Sequence, residues 1–281
     1  MRVGLALGGG GVMGVAHVGV LEELEAEKIE IDVISGTSAG SIIGLLYAAG
    51  GTKLVREFVE KIKQDGTLSN KNLIAQRSPD KILKEIRNKL YETVGAKSFI
   101  TLPKEFYAVA TDFGSGNPEA IHRGDPVEAV MTSCSYPGVF SVQKIAGRTY
   151  VDGGVTQNLP CETLKEQGCS FVIASSLNSI REFDADNLDS EQGRAKVAKR
   201  ALDIMQHSLE LTQIEKSDFC FSHPLEDYNW YSFSKFDEIL YLGRKYAHEQ
   251  IPGLVSLLRK SKSVSKNKSR KSLWRQLFPL E

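Results

Sequence analysis

The sequence lacks the features that mark a membrane-spanning or exported chain. Across its 281 residues, no apolar run approaches the roughly 18 residues that a transmembrane helix needs. Met1 and Arg2 lead directly into a short apolar run, without the apolar stretch and cleavage site of a signal peptide. We therefore expect a cytoplasmic protein, with any contact at the inner membrane face confined to its C-terminal end.

Cysteine is scarce, and its spacing gives no sign of a cysteine-based site. No C-x-x-C pair and no histidine at metal-ligand spacing accompanies the four cysteines, which are Cys134, Cys161, Cys169 and Cys220. Buried thiols in a reducing compartment are the simplest interpretation. The sequence predicts no metal site, and we expect no cofactor.

Internal repeats and linkers rich in Pro, Ser or Gly are also missing, which favours one domain. Charge is balanced overall, with 35 Lys and Arg against 35 Asp and Glu, but it is uneven. Residues 259–281 hold eight basic residues and one acid, so the rest of the chain carries a net charge of −7. We predict a domain over residues 1–258 and a basic tail over 259–281.

The basic tail allows two interpretations. Its basic residues are interleaved with serines, as in a solvated terminus. Alternatively, the segment from Arg259 to Leu280 contacts an anionic membrane surface, with Trp274, Leu277 and Phe278 entering the interface. Nucleic acid is not an expected partner, because the rest of the chain is acidic.

Apolar runs and helical patterns alternate along the chain, which predicts an α/β fold. The runs suited to strands of a buried sheet are 3–7, 32–35, 105–112, 171–174 and 219–221. Helical patterns include 79–90, 126–134, 160–167 and 195–215. The last of these repeats its apolar residues at helical spacing: Val197, Ala201, Ile204, Met205 and Leu209. We predict a three-layer α/β/α sandwich with a mostly parallel central sheet.

A glycine-rich segment, Gly8 to Gly14, lies between the first strand pattern and a helical pattern. Its G-x-G-x-x-G spacing also matches the dinucleotide-binding fingerprint, but that fold places an acid at the end of the second strand, whereas Asp32 lies at its start. A P-loop is excluded because no Gly-Lys-Ser/Thr follows. Backbone N–H groups at such a helix start stabilise negative charge, which favours an oxyanion hole.

The segment Gly36-Thr37-Ser38-Ala39-Gly40 reads G-x-S-x-G and lies between a strand pattern and an apolar helical pattern. A serine on a sharp strand-to-helix turn presents its hydroxyl, and the flanking glycines let the turn close. Both glycine motifs follow early strands, at the edge where α/β sheets hold their sites. Ser38 is therefore the predicted nucleophile of an ester hydrolase.

Ser38 needs a base, and the residues leave two interpretations open. A Ser-His-Asp hydrolase would take its histidine from late in the chain, although none of the five histidines lies in a motif. The late histidines are His207, His223 and His248. Alternatively, Asp152-Gly153-Gly154 follows a strand pattern, and its glycines let a carboxylate approach another element closely. Alone, the same tripeptide is also an ordinary turn signal.

Together, these motifs resemble those of the bacterial patatin-like phospholipase family. Three blocks match in order and approximate spacing, namely Gly8 to Gly14, Gly36 to Gly40, and Asp152-Gly153-Gly154. Thr111-Asp112-Phe113 and the segment 133–140 are also similar to family sequence. The similarity runs from about Val3 to Phe221 and so covers most of the chain.

The resemblance implies a lipid acyl hydrolase with a Ser-Asp dyad and no histidine. Ser38 would attack a lipid ester carbonyl, Asp152 would take its proton, and an acyl-enzyme would then be hydrolysed by water. The implied oxyanion donors are the N–H groups of Gly9, Gly10 and Gly11. The glycines that would support these motifs are Gly14, Gly36, Gly40, Gly153 and Gly154. Burial would raise the pKa of Asp152 towards neutrality, as a base at that pH requires.

One position departs from the family pattern. Met13 stands where family members often carry Arg or Lys just before the last glycine of the loop. The departure weakens the expectation of a phospholipid head-group preference. It also motivates a second hypothesis, a catalytically weak patatin-like scaffold that acts in regulation or membrane binding. A lipid or fatty-acyl ester, cleaved by phospholipase A or lysophospholipase chemistry, is the expected substrate of the first hypothesis.

Overall fold

The computed structural model describes residues 1–64, 79–95, 97–177 and 191–277, without the side chains of 191, 192, 195 and 262–277. Helices pack around one central eight-stranded sheet, which confirms the predicted α/β class. The strands are β1 (Val3–Leu7), β2 (Val33–Thr37), β3 (Glu105–Asp112), β4 (Pro118–Ile121), β5 (Gln143–Ile145), β6 (Arg148–Asp152), β7 (Phe171–Ser176) and β8 (Phe219–Ser222).

The centre of the sheet is parallel, and one flank is antiparallel. The strand order is β5-β6-β3-β2-β1-β7-β8, with β4 beside β3. Strands β3, β2, β1, β7 and β8 pair in parallel, whereas β4 and β6 pair antiparallel with β3, and β5 antiparallel with β6. The short strands β4 and β5 were not predicted, because their partly exposed residues form no continuous apolar run.

Seven α-helices are described. They are α1 (His17–Ala26), α2 (Ala39–Gln64), α3 (Pro79–Val94), α4 (Pro126–Ser133), α5 (Cys161–Glu166), α6 (Glu191–Ile214) and α7 (Phe236–Leu277). Helix α2 is kinked where Gly50 and Gly51 adopt non-helical dihedral angles. Two short 3-10 segments matter for the site, Gly11–Ala16 before α1 and Gly153–Val155 after β6.

Both faces of the sheet are covered, because successive residues of β1 enter different apolar clusters. Leu5 and Leu7 belong to the larger cluster with residues of α1, α2, α4 and α7. Ala6 belongs to a second cluster that includes Cys161 and Leu164 of α5. This alternation follows from the two-residue repeat of a strand and explains why the central strands read as continuous apolar runs.

Helix α7 crosses the position where the tail was predicted to begin. It continues from Phe236 to Leu277, and Leu254 and Leu258 are buried against the larger cluster. The side chains of the tail from residue 262 onward lie outside the described residues. The division into residues 1–258 and 259–281 therefore stays a prediction, and so does membrane contact by the tail.

Candidate active site

Ser38 occupies the turn between β2 and α2. The strand ends at Thr37 and the helix begins at Ala39, and the φ angle of Ser38 is 51°, a left-handed value that non-glycine residues rarely adopt. Its N–H donates to Ser133 Oγ at 2.8 Å, and that hydroxyl donates to Val109 O at 2.5 Å. A hydrogen-bonded bridge from α4 to β3 therefore holds the strained turn.

The flanking glycines are required by close packing. A Cβ on Gly36 would collide with the backbone of Gly40, and a Cβ on Gly40 would collide with the carbonyl of Leu7 at the end of β1. A Cβ on Gly14 would lie 2.6 Å from the Cβ of Ala39. The glycine loop and the serine turn therefore pack directly on each other.

Asp152 is brought to the serine turn by the register of β3. Thr37 pairs with Val109, and Asp152 pairs with the next residue, Ala110. A Cβ on Gly153 would collide with Val109 O and would lie 3.0 Å from Thr37 Cγ2. The end of β6 therefore meets the end of β2, although 115 positions separate the two strand ends in the sequence.

The carboxyl group of Asp152 is buried and only half satisfied. Its residue is 1% exposed, Oδ1 accepts the Gly154 N–H at 2.7 Å, and Oδ2 has no hydrogen-bond partner among the described residues. Desolvation raises the pKa of Asp152 to about 7, although the Gly154 N–H and the Ser38 hydroxyl both act to lower it. The Ser38 hydroxyl thus lies near the Asp152 carboxyl group without forming a regular hydrogen bond to it. Long or poorly aligned hydrogen bonds between catalytic groups are common in substrate-free sites.

The glycine loop lies against Ser38. A Cβ on Gly9 would be 3.3 Å from Ser38 Cβ, so the backbone passes directly beside the nucleophile. The Gly9 N–H already donates to Asn158 O at 3.1 Å. Within the described residues, the N–H groups of Gly10 and Gly11 have no acceptor. Met13 is half-buried, and its Cε would contact a Cβ placed on Gly10.

A buried polar chain that was not predicted supports the loop from beneath. His17 Nε2 lies 2.9 Å from Gly8 O, and His17 Nδ1 lies 2.8 Å from Ser175 Oγ. Ser175 Oγ in turn lies 3.1 Å from His223 Nε2. Desolvation lowers the pKa of His17 to about 4 and that of His223 to about 3, so both rings are neutral near pH 7.

A second unpredicted network joins the site to α6. Asn158 Nδ2 donates to Glu210 at 2.5 Å, and Ser176 Oγ donates to the other carboxylate oxygen of Glu210 at 2.5 Å. Asn158 Oδ1 would contact a Cβ placed on Gly9 or on Gly154. Asn158 therefore lies between the glycine loop and the Asp152 turn. The sequence carried no signal for this, because Glu210 occupies the polar side of an ordinary amphipathic pattern.

The histidine alternative gains no support from the described residues. No histidine among the described residues hydrogen-bonds to Ser38. His17 and His223 belong to the buried polar chain, and His248 is exposed and contacts Glu23.

Among the described residues, no three His, Cys, Asp or Glu side chains gather as a metal site. No helix in the described part of the chain is long and apolar enough to cross a bilayer.

The fold and these motifs define a patatin-type α/β protein. The model of the patatin-like phospholipase family matches residues 5–165, and the chain belongs to this family. The matched range contains the glycine loop, the serine turn and Asp152.

Relatives carry the same domain within longer chains. A patatin-like phospholipase domain-containing protein of Caenorhabditis elegans is 29% identical over 90% of this chain and 21% of its own length. An uncharacterized NTE family protein of Mycobacterium tuberculosis is 32% identical over 63% of this chain and 49% of its own length. A lysophospholipase of Saccharomyces cerevisiae is 25% identical over 90% of this chain and 17% of its own length. This chain thus spans half or less of these relatives.

The fold also matches a solved structure. VipD of Legionella pneumophila aligns with a TM-score of 0.52 at 14% identity, over 90% of this chain and 66% of that protein. At this identity, the likeness concerns the fold alone.

Proposed function

We propose that this chain is a serine hydrolase of lipid acyl esters, with Ser38 as nucleophile and Asp152 as general base. The observation that carries the proposal is that Thr37, which precedes Ser38, and Asp152 pair with adjacent residues of β3, while the buried Oδ2 of Asp152 has no hydrogen-bond partner among the described residues. Family membership and the lysophospholipase names among the relatives support a lipid ester as the substrate class.

The proposed reaction proceeds in two half-reactions. Ser38 Oγ attacks the ester carbonyl carbon while its proton passes to Asp152, and collapse of the tetrahedral intermediate expels the alcohol, which takes the proton from Asp152. A water molecule then loses a proton to Asp152 and attacks the acyl-Ser38 carbonyl. Collapse of the second intermediate releases the fatty acid and returns the proton to Ser38 Oγ. With a pKa of about 7, Asp152 can both accept and return a proton near neutral pH.

We assign the oxyanion to the N–H groups of Gly10 and Gly11, which have no acceptor among the described residues. They lie where the loop enters the 3-10 segment Gly11–Ala16, so the helical dipole that continues into α1 adds to their effect. The predicted role of Gly9 requires its bond to Asn158 to be exchanged for one to the substrate. Removing one such donor typically reduces kcat by roughly 10²–10³.

The experiment compares hydrolysis of a short-chain p-nitrophenyl ester and of lysophosphatidylcholine by folded wild type, Ser38→Ala and Asp152→Asn. We expect both variants to lose activity by at least about 10³-fold. Ser256→Ala is the matched control, because Ser256 is exposed and lies beside Glu27 near the starts of β1 and β2, at the sheet edge opposite Ser38. Activity retained by Ser38→Ala would refute the mechanism. A well-folded wild type that hydrolyses neither ester would favour the regulatory or membrane-binding scaffold.

A cytoplasmic location remains a proposal. Its support within the structure is that all four cysteines are free thiols, three of them buried and Cys220 half-buried. Thiols of this kind persist in reducing compartments. Alkylation of the denatured protein from cell extract, read by intact mass, should modify all four cysteines without prior reduction.

A further inference from the structure

Helix α6 carries its apolar side chains on the side that faces away from the protein. Four of them are 43–61% exposed, namely Val197, Ile204, Met205 and Leu211. The polar side chains of Glu210 and Gln213 are instead only 1% and 6% exposed. An ordinary surface helix has the opposite arrangement, with its apolar stripe in the core. The pattern predicted the helix correctly, but the apolar stripe does not join the core.

The inward polar side of α6 explains this reversal. Glu210 bonds to Asn158 and Ser176, and Gln213 accepts the Leu159 N–H at 2.8 Å. The Nε2 of Gln206 would lie 2.5 Å from a Cβ placed on Gly154. The helix is thus held over the Asp152 turn by polar contacts. The opposite side of the helix therefore forms part of the protein surface near the site.

The outward side is apolar, and basic residues lie in the N-terminal part of the same helix. Viewed along a helix of 3.6 residues per turn, Val197, Ala201, Ile204, Met205 and Leu211 share one side, which we call the outer face of α6. The adjoining segment 194–200 holds four basic residues and no acid, although one of them, Lys199, is paired with Asp203. Lys196 is exposed within it. Lys196 therefore places positive charge beside the exposed apolar side chains, although the preceding segment 182–191 holds five acids.

Two half-buried aromatic side chains connect the same helix to an exposed tyrosine. Tyr136 donates a hydrogen bond to Asp203 of α6 at 3.2 Å and stacks on Trp230 at a centroid distance of 6.4 Å. Trp230 packs on the glycine loop through Gly11, and its neighbour Tyr231 is 55% exposed. These aromatic side chains therefore connect the flank of α6 with the glycine loop that holds the candidate oxyanion donors.

We propose that the outer face of α6 docks on an anionic lipid surface and so places the Ser38 site against its substrate. An exposed apolar face bordered by Lys and Arg is the pattern of helices that lie in a membrane interface. The choice of lipid as occupant rests on the proposed function. Docking by α6 is independent of the predicted contact through the tail, which has its own basic residues.

The test measures binding of the full chain to vesicles of phosphatidylcholine with and without phosphatidylglycerol, by co-sedimentation. A Ser38→Ala background prevents turnover, so docking is read whether or not the protein hydrolyses lipid. We expect Ile204→Gln with Met205→Gln to lower the partition coefficient by about tenfold or more. Lys196→Gln should lower it by about fivefold, only on vesicles that contain phosphatidylglycerol.

The matched control is Ile100→Gln, because Ile100 is 95% exposed but precedes β3, at the sheet edge opposite Ser38. It should bind vesicles as the background does. With Ser38 intact, the double variant should keep its activity on a monomeric short-chain ester and lose activity on vesicle lipid. Unchanged vesicle binding by the double variant would overturn the proposal. A dimer of the background protein that is absent in the double variant would also overturn the proposal, because a second copy of the chain would then occupy the outer face of α6. Sedimentation velocity detects such a dimer.

Discussion

Thr37 and Asp152 pair with consecutive residues of β3, Val109 and Ala110. This register joins the end of a parallel strand to the end of an antiparallel one at a single point of the sheet. The residue after Thr37 is the candidate nucleophile, so one strand positions both members of the proposed dyad. Errors in the pairing of β3 would separate them even if both local motifs formed.

The first prediction concerns the pH dependence of the rate. Asp152 must be deprotonated to accept the Ser38 proton, and burial raises its pKa to about 7. The kcat/KM for a neutral ester should therefore rise with pH and level off above about 7. A pH-rate profile on a soluble ester measures this. A plateau that already begins near pH 5 would contradict the raised pKa.

The second prediction concerns stability. Burial raises the pKa of Asp152 from 3.8 to about 7 in the folded state, so the folded protein holds this proton more tightly than the unfolded chain does. The stability that the protonated Asp152 contributes to the folded state is therefore lost as pH rises between these values. Asp152→Asn cannot ionise, so it should gain stability relative to wild type as the pH increases. We expect a relative gain on the order of 1–3 kcal/mol between pH 4 and pH 8. Urea unfolding at both pH values tests this, and a constant difference would contradict it.

The third prediction concerns the bridge below the serine turn. Ser133→Ala leaves the Ser38 N–H without an acceptor and the Val109 carbonyl without its donor. We expect a loss of roughly 1–3 kcal/mol in unfolding free energy and a lower kcat, because the strained Ser38 turn loosens. Ser135→Ala is the control, since the one hydrogen bond of that buried hydroxyl among the described residues is local, to Met131 O four positions earlier. Equal effects of the two substitutions would show that the bridge has no special role.

The fourth prediction concerns proton positions beneath the glycine loop. A carbonyl only accepts, so His17 Nε2 must carry the proton that bonds to Gly8 O, and its Nδ1 must accept from Ser175. Ser175 Oγ can then accept from His223 Nε2–H. The pKa values of about 4 and 3 keep both rings neutral from pH 5.5 to 8, and the hydrogen bonds set the tautomer, so nitrogen-15 NMR should show Nε2–H for both rings over this range. An Nδ1–H tautomer of His17 would break this scheme.

Local patterns predicted the motifs because each motif is contiguous. Gly40 is needed where the turn packs on β1, and Gly36 is needed where it packs on Gly40, and both glycines are visible in the five-residue motif itself. The position of Asp152 was suggested by its glycines and by the family resemblance. Its meeting with Ser38 depends on the pairing of β3 with β2 and β6, which no single segment encodes.

What the sequence could not predict are contacts between distant segments. Ser133 appears as an ordinary residue of a short helix, and its role exists only because α4 packs beside β3. Glu210 appears as a solvent-facing acid until Asn158 and Ser176 surround it. The periodicity of α6 correctly predicted a helix, but periodicity does not specify which side is buried.

The most direct test of the proposed dyad is the rate at which a fluorophosphonate probe labels the folded protein. The probe needs an activated serine but no lipid recognition, so it isolates the chemistry from the choice of substrate. We expect wild type to gain one adduct, mapped to Ser38 by mass spectrometry. Asp152→Asn should react at least about 10²-fold more slowly, and His207→Ala, His223→Ala and His248→Ala variants that remain folded should react at the wild-type rate. Labelling of Asp152→Asn at the wild-type rate would contradict the account.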